Sequence, residues 1–402
     1  MPFDPDVEVF PLELFALIVD ATRDDRSTLL NLSLVSKSFL KISQRSLYRR
    51  VSLGGIKVAS VGGEKGRWSM FDISNDTRFF RTLTKTPHLA HQVRDFSFRP
   101  DTGHMSEYLW DNFHQALHLM VNLKYLQLTL MGSDRTFYRI LEDLCSHPFQ
   151  LEVFSWKDYR RRMTNQDMVA FLSFLASQPR LRALDVLSST AALLLPPESC
   201  PNLATFVGDY RLAGPVLRGS SVTNFVWMGG HLEPSPLLEP EWAACFSNLR
   251  LLVFFDQFPV DVDLVDLVSH LQSLEALQIS FESGTVPSDH VLYKATELLQ
   301  HIPKVQHLRV LTWTGAHPSH WGVSNVGWLE GFKAAANNFF DNPTIQHVYL
   351  SCQSGDGERY FRWSREASRG CAIEVDADDL VGFYHGLDFD GSLIDRRFVY
   401  GQ

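Results

Sequence analysis

A six-residue pattern, apolar at its first, fourth and sixth positions, recurs through most of this 402-residue chain. The alternation of its later positions is typical of a strand, in which every second side chain faces the same side. Successive copies begin 19 to 40 residues apart. The ten copies begin at Val93, Leu123, Leu151, Leu181, Leu203, Val222, Leu249, Leu274, Val305 and Ile345, and those at Leu203 and Val222 are weaker. A pattern repeated at such intervals predicts one structural unit per copy.

The segments between the copies predict helices, and prolines lead back into the strands. Proline ends a helix and favours extended backbone at the residue before it. The predicted helices are Glu107–Met120, Arg135–His147, Asn165–Gln178, Val260–Leu271, Asp289–Ile302 and Val326–Phe340. The prolines that precede copies are Pro148, Pro179, Pro201, Pro303 and Pro343. Strand, turn, helix and proline in this order predict an α/β fold with a parallel sheet.

These copies resemble leucine-rich repeats, a family that stacks such units into a solenoid with a parallel sheet on its concave side. The asparagine that the family places at the ninth position is missing, and Met131, Ser189, Gln257 and Glu282 stand there instead. The turn after each strand must therefore satisfy its backbone groups in another way. We expect an irregular solenoid over residues 93–352. The alternative is an ordinary α/β domain whose strands resemble one another by chance.

Three short helical patterns fill residues 10–51 and carry a large apolar load. Pro11 can occupy the first helical position, where its missing N–H costs nothing, and Ser27 is a candidate N-cap for the second helix. About 40 residues cannot bury this much apolar surface among themselves, because small units keep a large surface fraction. The excess must face another part of the chain or another protein.

This segment resembles an F-box. The matching residues are Phe10-Pro11, Glu13, Leu14, Ile18, Leu29-Leu30, Leu34-Val35-Ser36-Lys37, Phe39 and Leu47-Tyr48-Arg49-Arg50-Val51. The sequence departs from the family in having Phe10 for the usual leucine, and Phe39 where many members have tryptophan. The stretch from Phe80 to Arg94 is similar to the bridge of fungal F-box proteins with divergent repeats. The resemblance implies that the three helices bind a Skp adaptor, which links the protein to a cullin-based ubiquitin ligase.

The adaptor surface that the resemblance implies is apolar. It consists of Pro11, Leu14, Ile18, Leu30, Leu34, Val35 and Phe39. The alternative for these helices is a plain cap on the first repeat, because solenoids need atypical ends.

A target surface is predicted on the strand positions that alternate with the core positions and face outward on the concave side. It consists of Tyr125, Lys157, Asp185, Asp209, Val226, Phe255, Arg309 and Tyr349. Their mixed chemistry favours a protein or peptide partner over a small anion.

Four segments follow from these patterns: an F-box-like helical domain at 8–52, a connector leading into the solenoid at 53–92, the solenoid at 93–352 and an acidic capping region at 353–402. Gly54, Gly55, Gly62, Gly63 and Gly66 mark the connector as flexible. From Cys371 to Asp395 there are seven acidic residues and no lysine or arginine. This region is either a solvated face or a partner-binding tail.

Motifs for catalysis, metal binding or a cofactor are not recognised. His114 and His118 have metal-ligand spacing, but no H-E-x-x-H motif accompanies them. The stretch Gly62–Gly66 lacks the P-loop spacing, and no G-x-S-x-G occurs. We therefore expect no enzyme activity, no cofactor and no metal. An unrecognised active site between His317 and Trp328 is the enzymatic alternative.

Net charge, apolar runs and cysteine spacing exclude some further classes of protein. A formal charge of −9 disfavours a nucleic-acid surface, and no apolar run is long enough to span a membrane. The five cysteines are isolated from one another and no signal peptide is visible, so we expect the cytoplasm or the nucleus.

The sequence therefore predicts an α/β protein in which an N-terminal three-helix F-box precedes an irregular leucine-rich-repeat solenoid. The function that this implies is substrate recognition in a Skp–cullin–F-box ubiquitin ligase. A leucine-rich-repeat scaffold that binds protein partners outside any ubiquitin ligase is the alternative.

Overall fold

The computed structural model shows a mixed α/β protein whose described residues include thirteen strands. Its Cα packing divides the chain into a first unit of residues 1–160 and 169–178 and a second unit of residues 161–168 and 179–402. The described residues are 11–23, 25–53, 73–99, 107–130, 137–158, 165–188, 199–209, 213, 216–218, 221–228, 245–255, 264–280, 301–316, 339–340, 342–354, 357–365, 373–376 and 379.

In the first unit, three helices lead into alternating helices and strands. The helices are α1 (Leu12–Ala21), α2 (Arg26–Val35), α3 (Lys37–Arg49), α4 (Ile73–Lys85), α5 (Pro87–Ala90), α6 (Glu107–Leu119), α7 (Phe137–Leu144) and most of α8 (Asn165–Ala176). The strands are β1 (Arg50–Leu53), β2 (Asp95–Phe98), β3 (Tyr125–Leu130) and β4 (Val153–Asp158). Within this unit, β1 pairs in parallel with β2, β2 with β3, and β3 with β4.

In the second unit the strands also follow chain order. They are β5 (Ala183–Ser188), β6 (Thr205–Asp209), β7 (Asn224–Met228), β8 (Leu251–Phe255), β9 (Ala276–Ser280), β10 (Val310–Ala316), β11 (His347–Ser354), β12 (Gly357–Ser364) and β13 (Ile373–Val375). Helix α9 (Leu264–His270) precedes β9, and a 3-10 helix (Ile302–Lys304) precedes β10. Pairing is parallel from β5 to β11 and antiparallel from β11 to β13.

The parallel sheet predicted from the repeated pattern is confirmed, because each of the ten copies leads into a strand. The register also corrects one copy. Leu311, not Leu308, pairs with the fourth-position residue Leu277. The copy therefore begins at Leu308 rather than Val305, and Arg309 occupies its second position, just before β10. Both alternatives were open because Val305, Leu308 and Leu311 are apolar and three residues apart.

A repeated backbone contact joins each copy to the next. The carbonyl of the second-position residue accepts two N–H groups from the following copy. For example, the Arg250 carbonyl accepts from the N–H groups of Glu275 and Ala276 at 2.8 and 2.9 Å. The Glu275 carbonyl accepts in the same way from Arg309 and Val310 at 2.8 and 3.1 Å. Every buried backbone group needs a hydrogen-bond partner. This contact provides partners for the backbone groups just before each strand begins.

Asparagine side chains just before the first position of two copies reach the turn that precedes the previous copy. The Asn122 amide donates to the His91 carbonyl at 2.8 Å, and the Asn202 amide donates to the Pro179 carbonyl at 2.8 Å. Each amide reaches the carbonyl two residues before the first position of the preceding copy. In the sequence, these asparagines stand directly before the first leucine of a copy rather than at its ninth position.

Aromatic rings fill the first unit where α4 and α6 pack on the sheet. Phe80 is fully buried and meets the rings of Phe98 and Phe113 edge-on, with centroids 5.4 and 5.5 Å apart. Phe154 and Phe174 form a second edge-on pair at 4.8 Å. Fourth- and sixth-position side chains thus form the core of this unit, as the alternating pattern predicts.

In the second unit, the opposite sheet face is buried as well. We call it the odd-position face, because it is formed by the third, fifth and seventh positions of the copies. Strand register aligns the fifth positions in one row, and every member is at most 3 % exposed. The row is Asp185, Val207, Val226, Val253, Gln278, Thr312 and Tyr349. Burial on both faces is typical of parallel sheets.

Two predicted helix boundaries change. The N-cap of α2 is Asp25 rather than Ser27, because the Asp25 carboxylate accepts the N–H groups of Ser27 and Thr28 at 3.0 and 3.1 Å. Pro11 is the residue before α1 rather than its first helical residue. The predicted glycine connector lies outside the described residues.

Candidate functional site

The three amino-terminal helices expose an unusual number of large apolar side chains. Leu34 and Val35 are 83 % and 68 % exposed, and Leu30 is 51 % exposed. Leu14 and Ile18 of α1 are each 39 % exposed. We call these five residues, together with the exposed Leu12, Leu17 and Leu40, the helical apolar surface. Together they make up eight of the twelve large apolar side chains exposed among the described residues.

A small core explains why these side chains remain outside. Val19, Leu29 and Phe39 are buried together, and Phe15 meets Phe39 edge-on with centroids 4.5 Å apart. Phe39 was predicted as an adaptor-binding residue, but it is only 9 % exposed and packs in this core. Its role here is therefore to hold the helices together. Pro11, the remaining predicted residue, is exposed.

The predicted target residues of the first unit lie on a half-buried polar stretch of sheet. The Tyr125 hydroxyl and the Ser97 hydroxyl both donate to the Gln127 side-chain oxygen, at 3.0 and 3.3 Å. Lys157 is half-buried on β4, two residues after the buried Ser155. Tyr125 and Lys157 therefore remain partly accessible to a partner.

The second unit places its predicted target residues differently. Asp185, Val226 and Tyr349 are at most 3 % exposed, so the expectation that these three face outward is wrong. Val226 and Tyr349 belong to the apolar cluster on the odd-position face, and Phe255 packs against that cluster. Arg309 is exposed but precedes its strand. The side chain of Asp209 lies outside the described residues.

Arg309 belongs to a ladder of charges at second positions. Glu275 accepts from the Arg250 Nε at 2.6 Å, and an Arg309 guanidinium nitrogen lies 3.5 Å from its other oxygen. Arg309 also donates to the Gln346 side-chain oxygen at 3.2 Å. Partial burial acts to raise the pKa of Glu275, but the hydrogen bond and charge of Arg250 and the charge of Arg309 outweigh it and lower that pKa. The ladder thus fixes neighbouring copies to one another.

Arginines neutralise described parts of the acidic carboxy-terminal region. An Arg362 guanidinium nitrogen donates to both Asp379 oxygens at 2.9 and 2.7 Å, and the Tyr349 hydroxyl donates to the same carboxylate at 3.0 Å. Burial and the Asp379 charge raise the pKa of Tyr349 to about 12. The Arg359 Nε donates to Glu374 at 2.8 Å. These two acids of the predicted tail are therefore structural partners of β12.

The structure adds a third histidine to the predicted pair. The His147 ring lies edge-on to His114 and His118, with centroids 5.0 and 5.6 Å apart. Burial lowers the pKa of His147, and the charges of the other two histidines lower it further. No group of three His, Cys, Asp or Glu side chains among the described residues is placed to hold a metal ion. The cluster is therefore a packing feature of the first unit.

Comparisons with known proteins return no relatives. No family model matches the chain, and no curated protein matches it. Within the described part of the chain, no helix is both long and apolar enough to cross a membrane.

Proposed function

We propose that this protein is the substrate-recognition subunit of a Skp–cullin–F-box ubiquitin ligase. The helical apolar surface would bind the Skp adaptor, and the repeats would form a leucine-rich-repeat-type solenoid that holds a protein target. The exposure of Leu34, Val35 and Leu30 carries this proposal. Contiguous apolar side chains on a soluble surface mark binding sites, and these lie in the segment that resembles an F-box.

The proposed mechanism is positioning rather than covalent chemistry. A receptor that binds a target and an adaptor at once raises the local concentration of the target beside the transferase. This role is supported by the parallel strands of each unit and by the exposed apolar side chains of the helices at the start of the chain. The target surface that remains accessible is the polar stretch around Tyr125 and Lys157 in the first unit.

Co-expression with a Skp adaptor tests the adaptor surface. We expect the wild-type chain to co-purify with the adaptor, and the double variant Leu14→Asp, Val35→Asp to lose at least 90 % of the bound adaptor. Two buried carboxylates in an apolar interface each cost several kcal/mol. The matched control is Val121→Asp, Val169→Asp. These two residues lie outside α1–α3, and their exposures of 40 % and 64 % are similar to those of Leu14 and Val35.

The control variant should bind the adaptor like the wild type. Equal loss in both double variants would indicate misfolding, which far-ultraviolet circular dichroism would reveal. A wild-type chain that is stable alone and ignores the adaptor would overturn the ligase proposal. The protein would then be a repeat scaffold whose amino-terminal helices bind other partners.

A further inference from the structure

A small cavity lies in the first unit where α1 ends, α2 begins and α3 passes into β1. Its volume is about 130 Å³, several times what one water molecule requires. Four arginines line it: Arg23, Arg26, Arg49 and Arg50. Leu29 and Leu47 supply apolar wall, and Ser46 supplies a hydroxyl. We call this cavity the arginine pocket.

The charge of the arginine pocket opposes that of the whole protein. Asp20 is the single acid beside the four lining arginines, and Asp95, outside the lining, pairs with Arg50. The chain as a whole carries a formal charge of −9. A concentrated positive site on an acidic protein attracts small anions while the remaining surface repels larger polyanions.

Two of the arginines have no ion-pair partner among the described residues. Arg50 donates from its Nε to Asp95 at 3.1 Å, and Arg23 lies 4.0 Å from Asp20. Arg26 and Arg49 are exposed and pair with no described acid. Their guanidinium groups therefore remain available to a ligand that enters the pocket.

The chemistry of the lining selects the class of ligand. Guanidinium groups bind phosphate through two parallel N–H···O bonds, which a lysine ammonium cannot do. The pocket is lined by arginines without lysine. A volume of about 130 Å³ is sufficient for a phosphate group.

We propose that the arginine pocket binds a small phosphorylated metabolite through its phosphate group, with Arg26 and Arg49 as the principal contacts. This site is separate in its residues from the helical apolar surface. It does not depend on whether the chain binds a Skp adaptor.

Isothermal titration of the full-length protein with glycerol 3-phosphate and pyrophosphate tests the site. We expect binding at sub-millimolar concentration, and at least a tenfold loss of affinity in Arg26→Gln, Arg49→Gln. The matched control is Arg180→Gln, Arg182→Gln, because it removes the same charge from two exposed arginines of the second unit. That control should bind like the wild type. Arg26→Lys, Arg49→Lys should lose affinity despite keeping the charge, because lysine lacks the planar fork.

Three results would overturn the proposal. The first is absence of binding by either phosphate compound at millimolar concentration. The second is equal loss in the pocket variant and the control variant, which would indicate a general charge effect. The third is a phosphoserine peptide that binds more than tenfold tighter than glycerol 3-phosphate, because the pocket would then belong to a protein partner. Circular dichroism of each variant keeps misfolding distinguishable from loss of the site.

Discussion

His147 shows how one buried side chain can make the first unit sensitive to pH. It is 6 % exposed, and its Nδ1 lies 2.7 Å from the Asp143 carbonyl. Its Nε2 is buried and has no hydrogen-bond partner. A second proton would place a buried charge beside His114 and His118. Burial and these two neighbours outweigh the hydrogen bond to the Asp143 carbonyl, so the folded protein favours the neutral ring.

Because proton binding by His147 is linked to folding, its pKa determines how pH changes the free energy of unfolding. The folded pKa of His147 lies below the ordinary value of 6.5, so the unfolded chain binds more protons at mildly acidic pH. The free energy of unfolding should therefore fall as the pH drops below about 6.5. We expect His147→Gln, which can still donate to Asp143, to show a shallower fall. Urea unfolding midpoints at pH 7.5, 6.5 and 5.5 measure this.

The exposed His88 provides the comparison for this prediction. His88→Gln is the matched control, because it removes one histidine ring from an exposed position. Identical slopes for the wild type and His147→Gln would contradict the assignment of this pH dependence to His147.

At the scale of the repeated element, a polar side chain bridges some of the turns that precede the strands. Asn202 supplies one by donating to the Pro179 carbonyl at 2.8 Å. Asn248 occupies the same place before Leu249, yet its exposed side chain makes no hydrogen bond with a described residue. The two asparagines thus form a natural comparison within one chain.

We expect Asn202→Ala to lower the free energy of unfolding by about 0.5–1.5 kcal/mol, the usual net contribution of one hydrogen bond. Asn248→Ala should change it by less than about 0.5 kcal/mol, as exposed substitutions usually do. Denaturant titration of both variants measures these two changes in the free energy of unfolding. Equal destabilisation would show that the Asn202 bridge contributes nothing beyond turn propensity.

The end of the sheet uses a different element. Strands β12 and β13 reverse direction, and Arg362 holds the Asp379 carboxylate against Tyr349. An antiparallel pair with charged side chains protects the last strand from pairing with another molecule. Arginines of β12 thus hold the described acids Glu374 and Asp379. The capping role of this region and its alternative, a partner-binding tail, both remain predictions.

At the scale of the whole molecule, the proposed function predicts a localised response to the adaptor. We expect amide hydrogen exchange in α1–α3 to slow at least tenfold on adaptor binding, because the apolar side chains of these helices become buried. Strands β5–β11 should exchange at unchanged rates. Slower exchange throughout the second unit, with no change in α1–α3, would place the adaptor elsewhere.

Among the described residues, the sequence alone predicted strands β2–β11 and the helices α1–α3 and α6–α9, but not β1, β12, β13, α4 or α5. Alternation at period two is a local property, so each copy predicted a strand wherever it occurred. It also placed exposed apolar side chains at Leu14, Ile18, Leu30, Leu34 and Val35, because residues 10–51 carry more apolar side chains than so short a segment can bury.

Only the tertiary structure decided register and accessibility. Val305 and Leu308 are equally good first positions by local pattern, and pairing of Leu311 with Leu277 chose between them. Phe39 and Val226 are buried because of what packs against them, which an amphipathic pattern does not specify. His147 and the arginine pocket arise in the same way, since residues distant in sequence come together only when the chain is packed.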